Sequence, residues 1–441
     1  MIPIALRVPD PAVRRLTATL YGYAFLSDLV LLYPLYVVFF ADTGLSVGQI
    51  ASLFVVWSAA GIVFEVPSGA WADVVSRRLL LSLAPLATAA GFALWVLVPS
   101  YPAFALGFLL WGAGGALVSG ALEALVWTEL DRLGAVDRYA RVLGRARTAG
   151  VLGVVVSGVL AGPVLAAGGY PAVGAASVLA GLLAAIVATR FPEHRAPAAA
   201  RLPVAEPVLA ARSVGAAPSE PDTVSPPSLD DEGDPGWWDT LRAGVSQVRI
   251  RPPVRSAVLL VAVVAADWGA LDEYTPLLAL DTGVGAQAVP LLLLLLWAGV
   301  TVGGLLAPAG ERLGSRGYPA LLALVGVALA GGALLRHPAG FVLLAVAFGA
   351  AQLATVLADA RLQARITGTS RATVTSLAGM ATDVLIIVTY AGYGLLATVA
   401  GNAVAFALTA GAYLVVALVL LTRRRTTMPS GVAAASSHGR D

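Results

Sequence analysis

Residues 64–78 read FEVPSGAWADVVSRR, and they join one apolar run, 48–72, to the next, 79–98. A helix of about 20 mostly apolar residues is long enough to cross a bilayer. The stretch therefore links two membrane spans, and its closing pair, Arg77 and Arg78, marks one side of the membrane. Loops that stay in the cytoplasm keep arginine and lysine, whereas translocated loops lose them.

The basic residues repeat this asymmetry along the whole chain. All 28 are arginine, and Arg336 alone lies in the alternate gaps near 41–47, 99–102, 168–171, 281–287, 335–338 and 398–402. The remaining arginines lie at the N-terminus, in the tail and in the gaps at 73–79, 131–147, 190–255, 310–317 and 361–371. This pattern predicts a multi-pass protein of the plasma membrane with both termini in the cytoplasm. The complete lack of lysine suggests a GC-rich bacterial genome.

The composition also indicates a membrane protein. Hydrophobic residues make up 58% of the chain and charged residues 12%, whereas soluble domains are about 25% charged. The net charge of +2 does not indicate a nucleic-acid partner, because the arginines lie where topology requires them. The chain has no cysteine, which excludes disulfides, thiolate metal sites and a cysteine nucleophile.

Hydropathy predicts an all-α protein of twelve spans in two pseudo-symmetric six-helix bundles. We assign residues 1–190 to the first bundle, 191–252 to a cytoplasmic linker, 253–421 to the second bundle and 422–441 to a cytoplasmic tail. The predicted spans, numbered 1 to 12 in chain order, are 16–40, 48–72, 79–98, 102–128, 146–168, 171–190, 254–280, 287–309, 317–335, 338–361, 372–397 and 400–421.

The linker is rich in proline, alanine, serine and acidic residues. Such a composition cannot bury enough apolar surface to fold alone, so we expect 192–234 to be disordered. Residues 237–251 place Trp237, Trp238 and Leu241 on one helical face. That pattern fits a short helix lying at the membrane interface, and it fits a plain linker helix equally well.

The two bundles contain a repeat at a constant offset. Asp28 precedes the tripeptide Asp-Thr-Gly at 42–44 by fourteen residues, and Asp267 precedes the same tripeptide at 281–283 by fourteen residues, with an offset of 239 between the copies. Duplicated bundles are typical of secondary transporters, which bind substrate between the repeats near the middle of the membrane.

The stretch at 64–78 resembles the loop signature G-x-L-A-D-R-x-G-R-R of the major facilitator superfamily. Gly69, Ala72, Asp73, Arg77 and Arg78 match it, whereas Trp71, Val74 and Ser76 depart from it. A degenerate second copy spans 310–316 and includes Glu311 and Arg316. The preceding Glu-Val-Pro-Ser-Gly resembles drug:proton antiporter branches of that superfamily. The resemblance covers essentially the whole chain and implies the superfamily's twelve-helix fold.

The resemblance implies a gating role for the signature. Asp73 can face the positive N-terminal end of a helix from the other bundle. Arg77 or Arg78 can pair with Glu129 or Asp131 at the inner end of span 4. Such contacts would close the cytoplasmic side and break when that side opens.

A second signature lies in span 5. Gly158, Gly162 and Pro163 resemble the start of the antiporter motif G-x-x-x-G-P-x-x-G-G, with a spacer two residues longer before Gly168 and Gly169. Small residues four apart permit close helix packing, and the proline would bend the span. In the superfamily this motif marks exporters, although plain packing explains it equally well. Trp111 occupies the position at which many proton-coupled relatives have an arginine in span 4.

Acidic residues inside the spans are the candidates for proton coupling. A charge at the bilayer centre costs about 2.5–3.5 kcal/mol on insertion scales, so such residues are functional candidates. Asp28 near the middle of span 1 is the first candidate and Asp267 in span 7 is the second. Glu65 and Glu123 lie toward the cytoplasmic side, and for Glu123 a gate or capping role is the stronger interpretation.

Aromatic and acidic residues of the central helices predict the substrate cavity. Pro34 and Pro276 should kink spans 1 and 7 near their outer thirds. An apolar, aromatic cavity with one or two carboxylates suits a lipophilic small molecule, including a cationic one. The cavity candidates are Tyr33, Trp268, Asp272, Glu273, Tyr274 and Tyr390.

We therefore expect a proton-coupled exporter of hydrophobic compounds or drugs that works by alternating access as a monomer without cofactors or metals. Import of a nutrient and a non-transporting receptor remain the alternatives. Asn402 is the one asparagine, which argues against a sugar site rich in amide side chains. The chain has neither a phosphate-binding Walker motif nor the sequence patterns of hydrolases, so we do not expect an enzyme.

Overall fold

The computed structural model describes residues 11–194, 242, 245, 246, 248–314, 316–366 and 371–425. The described part is helical and contains no strand. Most of the predicted linker and the tail beyond residue 425 lie outside the described residues, as does most of the helix predicted at 237–251.

The helices of the described residues can be grouped into the six spans expected in each half of the chain. In the N-terminal half they are formed by Pro11–Asp28 with Tyr36–Asp42, Val47–Val74, Arg77–Leu97, Tyr101–Val118 with Ala121–Arg132, and the long helix Tyr139–Ala188, which carries spans 5 and 6. In the C-terminal half they are formed by Pro252–Asp272 with Thr275–Asp281, Val289–Leu305 with Ala307–Gly310, Gly317–Leu334, Gly340–Arg365, Arg371–Ala400, and Asn402–Thr409 with Gly411–Arg425. Short 3-10 turns at Val136–Arg138 and Ala286–Ala288 precede spans 5 and 8.

Ten of the described segments are long and apolar enough to cross a membrane. One of them, Val136–Ala188, has 53 residues, about twice the length that a single crossing needs. Its backbone leaves helical geometry at Gly169, with φ 64° and ψ −166°, and this divides it into two spans. Span 1 is broken between Asp28 and Tyr36. Its first piece has 18 residues but carries three charged side chains, Arg14, Arg15 and Asp28, and its second piece has seven residues. When Val136–Ala188 is counted as two spans and the two pieces of span 1 are counted as one, the described residues match the twelve spans expected from the sequence.

The predicted repeat is visible in the helix boundaries. Tyr36–Asp42 and Thr275–Asp281 are both seven-residue helices. The second begins 239 residues after the first begins and ends 239 residues after the first ends, which is the offset found in the sequence. Gly44 and Gly283, which follow them, have positive φ angles of 88° and 84°. These are left-handed conformations that glycine adopts without steric cost. The two halves therefore use the same broken first helix.

Proline chemistry explains both breaks. A proline lacks the backbone N–H, and its ring collides with the carbonyl of the residue four positions earlier, which ends a helix. Pro276 collides in this way with the carbonyl of Asp272, the residue at which Pro252–Asp272 ends. Pro34 lies in the non-helical segment 29–35. The kinks predicted at the two prolines are thus present as full breaks. Within the break of span 1, the backbone N–H of Leu32 has left the helical hydrogen-bond pattern and donates to Ser177 Oγ at 3.0 Å.

The outer surface of the bundle is apolar. Val399 and Leu395 are 90% and 73% exposed, and a soluble protein rarely leaves extended apolar surfaces open to water. Within the bundle, small residues let helices approach closely. Spans 8 and 10 meet at Gly303 and Gly349, where a Cβ added to Gly303 would lie 1.9 Å from the Gly349 carbonyl oxygen.

The loops lie at two ends of the bundle. We call the end that carries Arg77, Arg132 and Arg365 the arginine-rich end, and the opposite end, which carries Asp42 and Asp281, the arginine-poor end. The halves pack on one another mainly through span 2 with span 11, span 5 with span 8, and the two short helices Tyr36–Asp42 and Thr275–Asp281.

Candidate functional site: a central cavity

A cavity of about 630 Å³ lies between the two halves. Its volume is in the range of small-molecule sites, which is roughly 300–1,000 Å³. The N-terminal half contributes residues of spans 1, 2, 4 and 5, and the C-terminal half contributes residues of spans 7 and 8. The lining residues are Tyr33, Tyr36, Trp57, Trp111, Val151, Val154, Val155, Asp272, Glu273, Thr275, Pro276, Leu293, Leu294, Trp297, Ala298, Val300 and Thr301.

Stacked aromatic rings form the N-terminal wall of this cavity. Trp111 is stacked on Tyr33 at 5.2 Å and on Trp57 at 4.8 Å between ring centroids, with interplanar angles of 12° and 25°. The ring of Phe108 also lies nearly parallel to that of Trp111, with centroids 5.9 Å apart and an interplanar angle of 10°. The wall is therefore already assembled, and it offers flat apolar faces to a ligand. Sequence reasoning placed Tyr33 here and missed Trp57, Trp111 and Trp297 as lining residues.

The C-terminal wall carries the two acids at the break of span 7. Asp272 ends one helix and Glu273 precedes Tyr274, the residue before the next helix. The indole of Trp297 hydrogen-bonds to Asp272. The hydroxyl of Tyr36 donates to Glu273 Oε2 across the interface between the halves. The break thus turns both carboxyls toward the cavity and gives each an aromatic donor.

Asp28 lines a second, smaller cavity inside the N-terminal half. This space has a volume of about 260 Å³ and shares Tyr33 and Trp111 with the central cavity. Asp28 is the last residue of its helix, and it packs on Gly150 of span 5, where an added Cβ would lie 2.3 Å from Oδ2. The salt bridges among the described residues do not include Asp28. Its carboxyl lies one aromatic layer away from the central cavity.

Asp267, the repeat partner of Asp28, is packed differently. It is 5% exposed, and among the described residues its Oδ2 has no hydrogen-bond partner. It lies beside the hydroxyl of Tyr413, which donates to the Val264 carbonyl at 2.8 Å and accepts from the Trp268 N–H at 3.1 Å. Asp267 is absent from the lining of the central cavity. The two equivalent aspartates therefore occupy different environments.

The other predicted cavity residues divide into two groups. Asp272 and Glu273 line the cavity, as does Tyr33. Trp268 instead donates from Nε1 to Thr355 Oγ1 at 3.1 Å. Tyr274 is fully buried and donates to the Tyr390 carbonyl at 3.1 Å. These last three are packing residues of the C-terminal half, because the rotation of their helices turns them away from the cavity.

Glu123, a further proton-coupling candidate, is not among the residues that line the cavity. Glu123 is exposed near the arginine-rich end. The surroundings of Glu65, and of Gly69 and Asp73 in the gating signature, lie outside the part of the chain whose side chains the structure describes.

Of the pairs predicted between Arg77 or Arg78 and Glu129 or Asp131, the one between Arg77 and Glu129 does not form in the structure. Arg77 donates from one guanidinium nitrogen to the Ala124 carbonyl and to Thr128 Oγ1, both at 3.1 Å. Glu129, 2% exposed, pairs instead with Arg132 at 3.2 Å and with His194 at 3.0 Å. These two described side chains therefore do not pair. Glu129 instead lies where the end of span 4 packs against the residues that follow span 6, among them His194. Asp131, Arg78, Glu311 and Arg316 are exposed.

The glycines of the span 5 motif lie at the contact between the halves. A Cβ added to Gly158 would lie 2.9 Å from the Leu294 side chain, and one added to Gly162 would lie 2.3 Å from the Gln287 carbonyl oxygen. The helix departs from helical angles at Gly169, six residues after Pro163. The motif therefore permits close packing of span 5 against span 8 at the arginine-poor end.

Other contacts between the halves lie at the same end. Gly48 approaches Thr398, and Gly394 approaches Ala51. Phe54 packs on Tyr390 with ring centroids 5.1 Å apart. These residues belong to the arginine-poor parts of spans 2 and 11. The arrangement closes the central cavity toward that end.

Comparison with known proteins agrees with this architecture. The family description Major Facilitator Superfamily matches residues 18–335, more than half of the chain. The chain belongs to the major facilitator superfamily. It is accordingly a multi-pass membrane transporter and not an enzyme. No curated protein matches the sequence.

Solved transporters share the fold at low sequence identity. The nucleoside transporter NupG superposes with a TM-score of 0.67 at 12% identity, covering 94% of this chain and 100% of that one. A bacterial homologue of the human lysosomal transporter Spinster, in an inward-facing and unoccupied conformation, gives 0.66 at 15% identity, covering 95% and 98%. A D-xylose–proton symporter gives 0.63 at 14% identity, covering 92% and 96%. At these identities the likeness extends to the fold.

Proposed function

We propose that this transporter exports amphipathic, lipophilic small molecules in exchange for protons. The observation that carries the proposal is the chemistry of the central cavity. Its lining combines Tyr33, Trp57, Trp111 and Trp297 with two carboxyls, and no basic side chain is among the described lining residues. Aromatic faces bind apolar and cationic groups, whereas an anionic substrate would be repelled by Asp272 and Glu273.

Asp28 is the residue that we propose to carry the proton. It occupies an apolar cavity inside the N-terminal half, one aromatic layer from the substrate cavity. A carboxyl in such a position binds or releases a proton according to its surroundings, and intramembrane acids form the proton relays of many transporters. Tyr33 and Trp111 border both cavities, so a ligand that moves them alters the surroundings of Asp28.

We propose that the substrate moves outward through a cavity that opens first toward the cytoplasm. If the arginine-rich end faces the cytoplasm, the contacts at Gly162, Ala51 and Phe54 close the cavity on the outer side. A substrate would then enter from the cytoplasm or the inner leaflet and leave once these contacts separate. We propose that a single chain suffices, because its two halves already enclose the cavity.

The decisive experiment uses purified protein in liposomes that contain a pH-sensitive dye. With a pH gradient imposed, lipophilic cations, neutral antibiotics, nucleosides and sugars are added in turn. We expect a lipophilic compound to trigger proton flux, and Asp28→Asn to abolish it. Asp137→Asn, which changes an exposed loop acid, is the matched control and should retain the flux.

Other outcomes select the alternatives. Flux triggered by a nucleoside or a sugar would favour the importer. Binding of a lipophilic compound without flux of either solute would favour a non-transporting receptor. Normal coupled transport in Asp28→Asn would refute the assignment of the proton site.

A further inference from the structure

A hydrogen bond between the two halves lies at the closed end of the central cavity. Tyr36 belongs to the short second helix of span 1, and Glu273 lies at the break of span 7. The Tyr36 hydroxyl donates to Glu273 Oε2 although the residues are 237 positions apart in the chain. Because the bond joins different halves, it must break if the halves separate at this end.

The ring of Tyr36 is held in place by its neighbours. It is 4% exposed and packs against the rings of five residues of the N-terminal half at centroid distances of 5.6–6.2 Å. These rings are Phe40, Phe54, Trp95, Phe108 and Trp111. The hydroxyl therefore moves with the N-terminal half and cannot follow Glu273 when the C-terminal half moves away.

Glu273 also faces the substrate cavity. It lies in its lining, while the adjacent Asp272 already accepts from Trp297 within the C-terminal half. A carboxyl has two oxygens and can accept several hydrogen bonds, so a ligand can reach Glu273 while Tyr36 is still bound. Separation of the halves removes the hydroxyl and leaves the carboxyl with one donor fewer in an apolar site, which is costly.

We propose that the Tyr36–Glu273 bond is a latch that holds the arginine-poor end closed, and that a ligand donating a hydrogen bond to Glu273 releases it. Such a ligand binds the open state more tightly than the closed state, because only in the open state does it replace the lost hydroxyl. A ligand shifts a conformational equilibrium by this difference in affinity. The proposal rests on the proposed function for the location of the ligand, and Tyr36 acts as a positioning residue.

The latch can be tested without any transport assay. The chain has no cysteine, so spin labels can be placed at Pro99→Cys and Leu335→Cys, two exposed positions in loops of different halves at the arginine-poor end. Double electron–electron resonance then gives the ratio of open to closed molecules. We expect Tyr36→Phe, which keeps the ring, to raise this ratio about tenfold, as loss of a hydrogen bond to a carboxyl would.

The chain offers a matched control for the loss of the hydroxyl. Tyr170 donates to Asp42 Oδ2 at 2.5 Å, and both residues belong to the N-terminal half. Tyr170→Phe should leave the ratio unchanged. Glu273→Gln keeps an acceptor oxygen and should raise the ratio less than Tyr36→Phe. Equal effects of Tyr36→Phe and Tyr170→Phe, or no effect of either in a folded protein, would overturn the latch.

Two probe cations separate hydrogen bonding from charge. The 4-phenylbutylammonium ion carries N–H donors, whereas 4-phenylbutyltrimethylammonium has the same ring and charge without them. We expect the first to raise the open-to-closed ratio of the wild-type protein and to do so less in Tyr36→Phe. Equal shifts with both cations, or none with either, would overturn release by a donor. A protein that shows the latch without proton coupling would refute the proposed function alone.

Discussion

Gly162→Ala should loosen the closed end of the transporter. An added Cβ would lie 2.3 Å from the Gln287 carbonyl oxygen, about 1 Å short of the 3.4 Å at which ordinary contact begins. The obstacle is backbone of the other half and cannot rotate away, so spans 5 and 8 must separate. Overpacking of this kind costs about 1–3 kcal/mol. Because the strain exists only when the halves are in contact, it should favour the open state by a factor of about 5 to 150.

The spin-label distance between Pro99→Cys and Leu335→Cys measures this effect directly. Gly144→Ala is the control, since Gly144 lies in the same helix and an added Cβ there meets nothing within 4 Å. The control should leave the distance distribution unchanged and should not lower the thermal stability, because alanine favours a helix interior more than glycine does. If Gly162→Ala also leaves the distribution unchanged while the protein stays folded, the contact between spans 5 and 8 does not hold the halves together.

Three further substitutions test the two cavities and the packing at the arginine-rich end. Gly150→Ala should lower proton-coupled transport sharply, since the new Cβ would lie 2.3 Å from Asp28 Oδ2 and displace that carboxyl; dye-monitored flux in liposomes measures it. Trp111→Ala should weaken ligand binding several-fold, as measured by titration calorimetry, because it removes an aromatic face of the cavity and one aromatic contact is worth about 0.5–1.5 kcal/mol. Glu129→Ala should lower the unfolding temperature, because the His194 N–H, 2.8 Å from Glu129 Oε1, loses its acceptor, and a hydrogen bond contributes about 0.5–1.5 kcal/mol net. Calorimetric unfolding in detergent measures this.

Each of these changes has a control on the same type of residue. Gly144→Ala should retain transport where Gly150→Ala loses it. Trp127→Ala removes a tryptophan that is 48% exposed and lies outside the cavity, so it should leave ligand affinity intact. Asp131→Asn alters an exposed acid near Glu129 and should leave the unfolding temperature unchanged. An equal effect of a substitution and its control would contradict the role assigned to that residue.

The gating signature shows where family resemblance and geometry differ. Its match to the superfamily is correct, yet Glu129 is satisfied by Arg132 and by His194 rather than by Arg77. His194 lies 65 residues along the chain from Glu129, in a segment that the sequence assigns to the linker. No local pattern identifies that contact. It becomes visible when the chain after span 6 is seen to pack against the end of span 4.

The site itself was partly predictable. Asp272 and Glu273 could be placed at a break because Pro276 lies four residues after Asp272, and the collision between its ring and that carbonyl is a local effect. Tyr274 and Tyr390 were predicted as cavity residues and are not among the described lining residues. Aromatic residues on a membrane helix can face the cavity, a neighbouring helix or lipid, and the sequence does not distinguish these orientations. In the structure, the Tyr274 hydroxyl donates to the Tyr390 carbonyl at the contact between spans 7 and 11.

The sequence by itself determined the spans, the duplication and the breaks of the first helix in each half. These follow from run length, charge in alternate gaps, proline chemistry and a fixed offset, all of which act over short distances along the chain. Only the tertiary structure decided that Trp57 and Trp111 form a wall, that Asp28 borders a cavity while Asp267 is packed, and that Tyr36 binds Glu273. Such outcomes depend on how each helix is rotated against neighbours that are remote in sequence, and close packing of the assembled halves sets that rotation.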